Sequence, residues 1–430
     1  METVKNRISS LWMSEDWWAV WLGFILFAVT PFISYIPKPK KWSGNPLDSI
    51  PADMILPLLA LMAGLTALTL LAAVFMKEKP GHFIYTFPFV FIITVISYLI
   101  SSQETIKAYG LGYAFWALLA GLLISNTVGV PARLKAAIRT ELYIKIGLVL
   151  LGGEILFGKI LSLGGQGLLV AWVVTPIVVT FMYFFGTRLL KMANKNLVII
   201  IAAATSVCGV SAAIAVASAT RAKKEELTLA VGMTLIFTVI MMIFMPLGIK
   251  AVGMSALVGG AWMGGTIDAT GAVVAAGAML GDDAMNVAAV VKMIQNVLIG
   301  ILAFVIAILW VTQVERNRSS DTKPNAMEIW YRFPKFIVGF IAASVLFSFI
   351  LTPAIGSDAV AGLLKISKSL RGYFFCLAFV SIGLDSSFKE LKGQMVGGKP
   401  MMLYVVGQTF NLILTLIMAY LAFGGILFKH

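Results

Sequence analysis

Charge is scarce in this chain. Of 430 residues, 33 are Lys or Arg and 20 are Asp or Glu, together 12%, which is too little to cover the surface of a water-soluble fold of this length. Histidine is nearly absent: His82 stands at the edge of an apolar run and His430 is the last residue. A histidine-rich metal site is therefore not expected. The two cysteines, Cys208 and Cys376, both fall inside apolar runs, so there is no disulfide framework. No charged or polar stretch is long enough to hold a soluble domain. Ser211 has no evident base near it in sequence and no metal-ligand cluster is present, so an intramembrane enzyme is the reading furthest from the residues.

What the chain has instead is hydrocarbon. Sixty per cent of residues are hydrophobic and the mean hydropathy is +0.94. Apolar runs of bilayer-spanning length recur from Trp17–Ile36 to Met401–Gly424, about 13 of them by the 20-residue criterion. The expected fold is thus an all-α integral membrane protein embedded in a lipid bilayer. The charged loop near 315–335, with Arg316, Arg318, Asp321 and Pro324, divides it into 1–324 and 325–430. The net charge of +13 fits basic cytoplasmic loops and attraction of anions, with no nucleic-acid partner expected. Lys and Arg are in excess in loops on the N-terminal side, so the N-terminus is read as cytoplasmic.

Two stretches inside spanning-length segments are crowded with residues that interrupt helices. They are Ala204-Thr205-Ser206-Val207-Cys208-Gly209-Val210-Ser211-Ala212 and Gly264-Gly265-Thr266-Ile267-Asp268-Ala269-Thr270-Gly271-Ala272. Broken helices at membrane depth are tolerated where protein or a water-filled cavity satisfies the freed backbone, and paired breaks point to a transporter's substrate site. Close helix packing through small residues is the plainer alternative. Asp268 tips the balance. A carboxylate at the centre of a spanning helix costs about 2.5–3.5 kcal/mol on insertion scales and is a functional candidate by default. Thr205, Ser206, Cys208, Gly209, Ser211, Thr266, Thr270 and Gly271 are the expected lining, with Asp268 as the coupling carboxylate for H⁺ or Na⁺.

Other polar residues in apolar context are weighed singly. Lys292, Gln295 and Asn296 share a helical face, and the two carboxamides are candidate ligands for a polar solute. Glu141 and Lys145, spaced i,i+4, form with Glu154 and Lys292 a candidate charge network; snorkelling at an interface explains the charges equally well. Gln408 and Asn411 suit interhelical hydrogen bonding. Leu151-Gly152-Gly153-Glu154-Ile155-Leu156-Phe157 echoes Ile382-Gly383-Leu384-Asp385-Ser386-Ser387-Phe388, the sign expected of an inverted repeat.

Four runs carry a family resemblance: Asn126-Thr127-Val128-Gly129, the run from Glu141 to Gly152, Cys208-Gly209-Val210-Ser211-Ala212-Ala213, and Val274-Ala275-Ala276-Gly277. They resemble the YeiH-like membrane proteins, a family of proposed sulfate exporters. The resemblance implies a bacterial inner-membrane transporter related to the sodium/proton antiporter and bile-acid symporter fold group. It further implies a panel domain, a core domain, two broken helices crossing at mid-membrane, and a homodimer. It departs where members carry Ile-His-Asp/Glu and a following Gln: here the positions read Ile267-Asp268-Ala269 and Ala272. Gln295 also stands where members tend to have Arg. The implied function is secondary transport of a small anion such as sulfate or a sulfonate by alternating access. A passive channel is the alternative within transport.

Overall fold

A chain this apolar must close its own backbone hydrogen bonds, and it closes them within helices. The computed structural model describes residues 14–76, 82–108, 112–154, 157–310, 334–387 and 398–428. The longer helices, in chain order, are α1 (Glu15–Val29), α2 (Ala52–Phe75), α3 (Phe83–Ser101), α4 (Tyr113–Thr127), α5 (Thr140–Glu154) and α6 (Leu163–Leu189). They are followed by α7 (Lys195–Ser206), α8 (Gly209–Ala219), α9 (Lys224–Ala251), α10 (Ala256–Thr266), α11 (Thr270–Leu280) and α12 (Asp282–Leu309). The last three are α13 (Lys335–Ile355), α14 (Ser357–Asp385) and α15 (Lys399–Phe423). Among the described residues there is no strand, only an isolated bridge between Trp42 and Gln103.

Seven described helices are long and apolar enough to cross a membrane: α2, α3, α6, most of α9, α12, α13 and α15. The remaining apolar segments are shorter helices or halves of interrupted ones. The short apolar run Tyr373–Asp385 is the end of the 29-residue α14, whose first half carries Lys365, Lys368 and Arg371. Those charges mask the helix from a hydropathy reading. The loop near 315–335 lies almost wholly outside the described residues, as does Phe388 at the end of the echoed motif. Asp385 is the last residue of α14, and Glu154 is the last described residue of α5.

The chain forms two units, residues 1–160 with 335–387 and residues 161–334 with 388–430. In the first unit, α5 is the hub, packed on α1, α13 and α14. The Lys145 ammonium explains part of this. It lies 2.9 Å from Glu15, 2.9 Å from Asp16 and 3.6 Å from Glu141, tying α5 to the first turn of α1. Glu154 pairs with Arg371 of α14 at 2.8 Å, the guanidinium being 4% exposed. At the end of α14, Ser125 Oγ lies 3.0 Å from both Gly383 O and Ser386 O, and Asn126 Nδ2 donates to Ser386 O at 3.0 Å, so α4 supplies side-chain donors to the carbonyls there.

In the second unit, α7 starts at Asn194, whose side-chain oxygen accepts from Leu197 N at 3.1 Å. The N-cap of α10 is Ser255, with Val258 N 3.3 Å from its hydroxyl. Gly264 lets α10 lie directly on α12, since a Cβ there would sit 2.7 Å from the Ala288 carbonyl. Trp262 Nε1 donates to Leu412 O at 2.9 Å and joins α10 to α15. The apolar packing of α6, α7, α8, α12 and α15 runs through Val178, Met182, Ile200, Ala204 and Leu403.

Candidate functional site

Both Gly/Ser/Thr stretches are breaks. The first separates α7 from α8 at Val207 and Cys208, where Val207 leaves the helical region at φ −126°, ψ −84°. Gly209 follows at φ +33°, and a Cβ on it would meet Thr234 Cγ2 at 2.6 Å and Asp268 Cβ at 3.4 Å. The second break is Ile267-Asp268-Ala269, extended at Ile267 and at Ala269. The two breaks adjoin: Cys208 Sγ lies 3.6 Å from Thr270 Oγ1.

Each break exposes two helix ends, and the ends are treated differently. The last carbonyls of α7 and α10 are capped by side chains of α6, α12 and α15. Thr205 O accepts from Asn411 Nδ2 at 3.1 Å. Ser206 O accepts from Gln295 Nε2 at 2.9 Å and from Thr175 Oγ1 at 3.1 Å. Val207 O accepts from the Lys292 ammonium, whose charge also complements the negative end of α7. On α10, Gly265 O accepts from Gln295 Nε2 at 3.1 Å and Thr266 O from Gln408 Nε2 at 3.2 Å. One Gln295 amide thus bridges both breaks, while its oxygen accepts from Lys292 at 2.7 Å.

The N-terminal ends are arranged differently. Ala269 gives α11 no side-chain cap. The first turn of α8 is closed by Ser211 N and Ala212 N on Cys208 O. The positive ends of α8 and α11 therefore meet beside Cys208, Asp268 and Thr270, with N–H groups that a helix start leaves over.

Asp268 sits in the second break, 1% exposed. Its Oδ2 accepts from the Tyr404 hydroxyl on α15. Its Oδ1 is buried with no hydrogen-bond partner among the described residues. Asn296 Nδ2 donates to Thr270 Oγ1 at 3.0 Å, which leaves the Thr270 hydroxyl hydrogen to point elsewhere. Lys292, Gln295 and Asn296 are each 1% exposed; none snorkels to an interface.

Most of the sequence-derived site residues come together here, with some changes of part. Thr205 and Ser206 send their hydroxyls back to Ile201 O at 2.8 Å and Ala202 O at 2.6 Å, so they offer backbone carbonyls to the unit and not side-chain donors to a solute. Thr266 Oγ1 is buried and has no partner among the described residues. Cys208, Gly209, Ser211, Thr270 and Gly271 lie at the meeting helix starts. Glu141, Lys145 and Glu154 make their ion pairs inside the first unit, and Lys292 caps α7 in the second. The sequence reading overlooked Tyr404. Tyr404, Gln408, Asn411 and Thr415 recur at i, i+4, i+7 and i+11, one polar stripe on an apolar helix, and that stripe was the available signal. Among the described residues no group of three or more His, Cys, Asp or Glu side chains is placed to hold a metal ion.

A family model described as conserved hypothetical protein 698 matches residues 86–404. A UPF0324 membrane protein of Rhodopirellula baltica is 52% identical over 401 residues, covering 92% of this chain and 73% of the relative. One from Nitratidesulfovibrio vulgaris is 52% identical over 396 residues, covering 90% of this chain and 66% of the relative. A third, from Nitrosomonas europaea, is 32% identical over 475 residues, covering 93% of this chain and 94% of the relative. No solved structure matches.

Proposed function

The chain belongs to the UPF0324 membrane protein family, which makes it a multi-pass membrane protein, and we propose that it is a secondary transporter of a small anion, with the paired breaks as its binding site. One observation carries the reading. At both breaks the carbonyl ends are capped by Lys292, Gln295, Gln408, Asn411 and Thr175, while the N–H end of α11 has no side-chain cap at Ala269 and adjoins the start of α8. Such a junction repels cations at its capped side and presents donors and partial positive charge at the other, the condition for holding an oxyanion.

The deep burial of Asp268 and Lys292 supports a closed site that must open to one side at a time. A passive pore has no need of a sealed centre or of a carboxylate inside it. Asp268 is the coupling group, binding H⁺ or Na⁺. Within this reading the second unit, which holds both breaks, is the core, and the first is the panel. The echo around Glu154 and Asp385 marks an inverted repeat, and about 13 segments cross a bacterial inner membrane. A cytoplasmic N-terminus follows from the excess of Lys and Arg in loops on that side, and a homodimer and sulfate or a sulfonate as cargo from the family resemblance.

The test is uptake of radiolabelled sulfate and methanesulfonate into proteoliposomes holding the purified protein, with and without imposed proton and sodium gradients. Accumulation above equilibrium under one of those gradients is the expected result. Flux that only equilibrates under every gradient identifies a channel, and no anion flux overturns the anion reading.

A further inference from the structure

The unpartnered oxygen of Asp268 says more than that the residue is a coupling group. Its carboxylate is asymmetric: Oδ2 takes the Tyr404 hydroxyl, while Oδ1 is buried with nothing to accept from among the described residues. It stands at the meeting of two helix starts, with Gly209 against its Cβ and Thr270 two residues on. The charged and titratable groups facing it are Tyr404 from α15, Lys292 from α12 and Cys208 from the first break. The polar neighbour from α9 is Thr234, whose hydroxyl is engaged by Ala230 O at 2.9 Å.

An oxyanion held by the same N–H groups would meet this oxygen. If both were ionised, two negative charges would share one dry pocket, and such pairs do not both stay charged. If a proton sits on Oδ1, the repulsion disappears and the new O–H has an acceptor: an oxygen of the bound anion. We infer that the proton is the coupling ion, carried on Asp268 Oδ1 and donated in a hydrogen bond to the bound oxyanion, so that anion and proton bind and leave together. The step balances simply. One proton from solution joins the carboxylate as the anion enters, no covalent bond of the anion changes, and the same proton returns to solution when the anion leaves. The coupling is reciprocal, as any linkage between two ligands must be. Sodium fits less well, because a cation in this pocket would stand close to the Lys292 ammonium.

This inference rests on reading the breaks as an anion site, and calorimetry separates the two. The full-length protein in detergent is titrated with sulfate and, separately, methanesulfonate. Sodium and potassium salts are compared in buffers of different ionisation enthalpy. Near one proton should be taken up per anion on the alkaline side. Affinity there should fall tenfold per pH unit, equally in both salts. Asp268→Asn carries a permanent N–H donor in place of the O–H, so it should bind the anion with pH-independent affinity and no proton uptake. Tyr404→Phe removes a donor that favours the ionised form; it should move the alkaline fall to higher pH and keep its tenfold slope. Should the Asn variant not fold, the Tyr404→Phe shift decides. Binding that requires sodium, binding without proton uptake, an Asn variant that still takes up a proton, or an unmoved fall in the Phe variant overturns the inference while leaving the anion site standing. If the wild-type protein binds neither anion, the site reading itself fails and the inference falls with it.

Discussion

Gln295 is where the architecture of the breaks is most exposed to a single substitution. Its amide nitrogen donates to Ser206 O and Gly265 O, and its oxygen accepts from Lys292. Gln295→Leu keeps most of the volume and removes these three bonds and the longer one to Thr175 Oγ1 at 3.4 Å. Gly265 O loses the side-chain donor shown for it, whereas Ser206 O retains Thr175. An orphaned buried group costs about 1–3 kcal/mol, and bonds to a charged group are worth somewhat more than neutral ones. Interhelical bonds in membranes average nearer 0.6 kcal/mol, which pulls the sum down. The net expectation is a loss of ~2–4 kcal/mol. For a chain of 430 residues that is a fall in Tm of about 2–5 °C. Thermal unfolding of the purified protein in detergent measures it. Thr409→Ala is the control on the same footing, since the exposed Thr409 hydroxyl bonds only Val405 O of its own helix, and its Tm should not move. A Gln295→Leu protein as stable as wild type would refute the claim that this side chain holds the two carbonyl ends in place.

Further outcomes are expected. Gly209→Ala must place a Cβ at φ +33° and 2.6 Å from Thr234 Cγ2; left-handed backbone and overpacking together should lower stability by ~2–4 kcal/mol, read in the same unfolding assay. Cys208, at the junction, should react with a membrane-impermeant thiol reagent in some substrate or pH condition, whereas Cys376, fully buried on α14, should stay protected; singly replaced variants tell them apart. Lys38, in the loop before α2, lies over the Tyr98 and Tyr373 rings, and burial followed by the Arg371 charge pushes it from 10.5 down to about 8. Below pH 8 the folded protein carries the full penalty of that ammonium. Between about 8 and 10.5 the folded state has released the proton and the unfolded state has not, so stability should rise with pH there by about 3 kcal/mol. Lys38→Met should abolish the rise.

Composition made the membrane class legible, because 12% charge and long apolar runs leave no other solvent for the surface. The two breaks were legible for a local reason: Gly, Ser and Thr cluster where a spanning helix should be uninterrupted, and Asp268 sits among them. The capping of the breaks was only half visible. Gln408 and Asn411 could be read as interhelical bonders, but which carbonyls they reach depends on α15 joining a unit from which it is separated in sequence by α13 and α14. Tyr404 was hidden because a tyrosine in an apolar run reads as packing until the stripe with Gln408 and Asn411 is noticed. The residues grouped as one charge network fall in different units, because the boundary near residue 160 lies between Glu154 and Lys292. Snorkelling was a fair expectation for Lys292; what overrides it is the negative end of α7, a stronger partner than the interface.

The account depends most on Asp268 linking anion movement to an ion gradient. The direct measurement is sulfate flux in proteoliposomes carrying wild type or Asp268→Asn, with a proton gradient imposed across the membrane. The wild-type protein should concentrate the anion against its own gradient. The variant should be folded and should let the anion equilibrate without concentrating it. Gradient-driven accumulation by Asp268→Asn at the wild-type level would contradict the account.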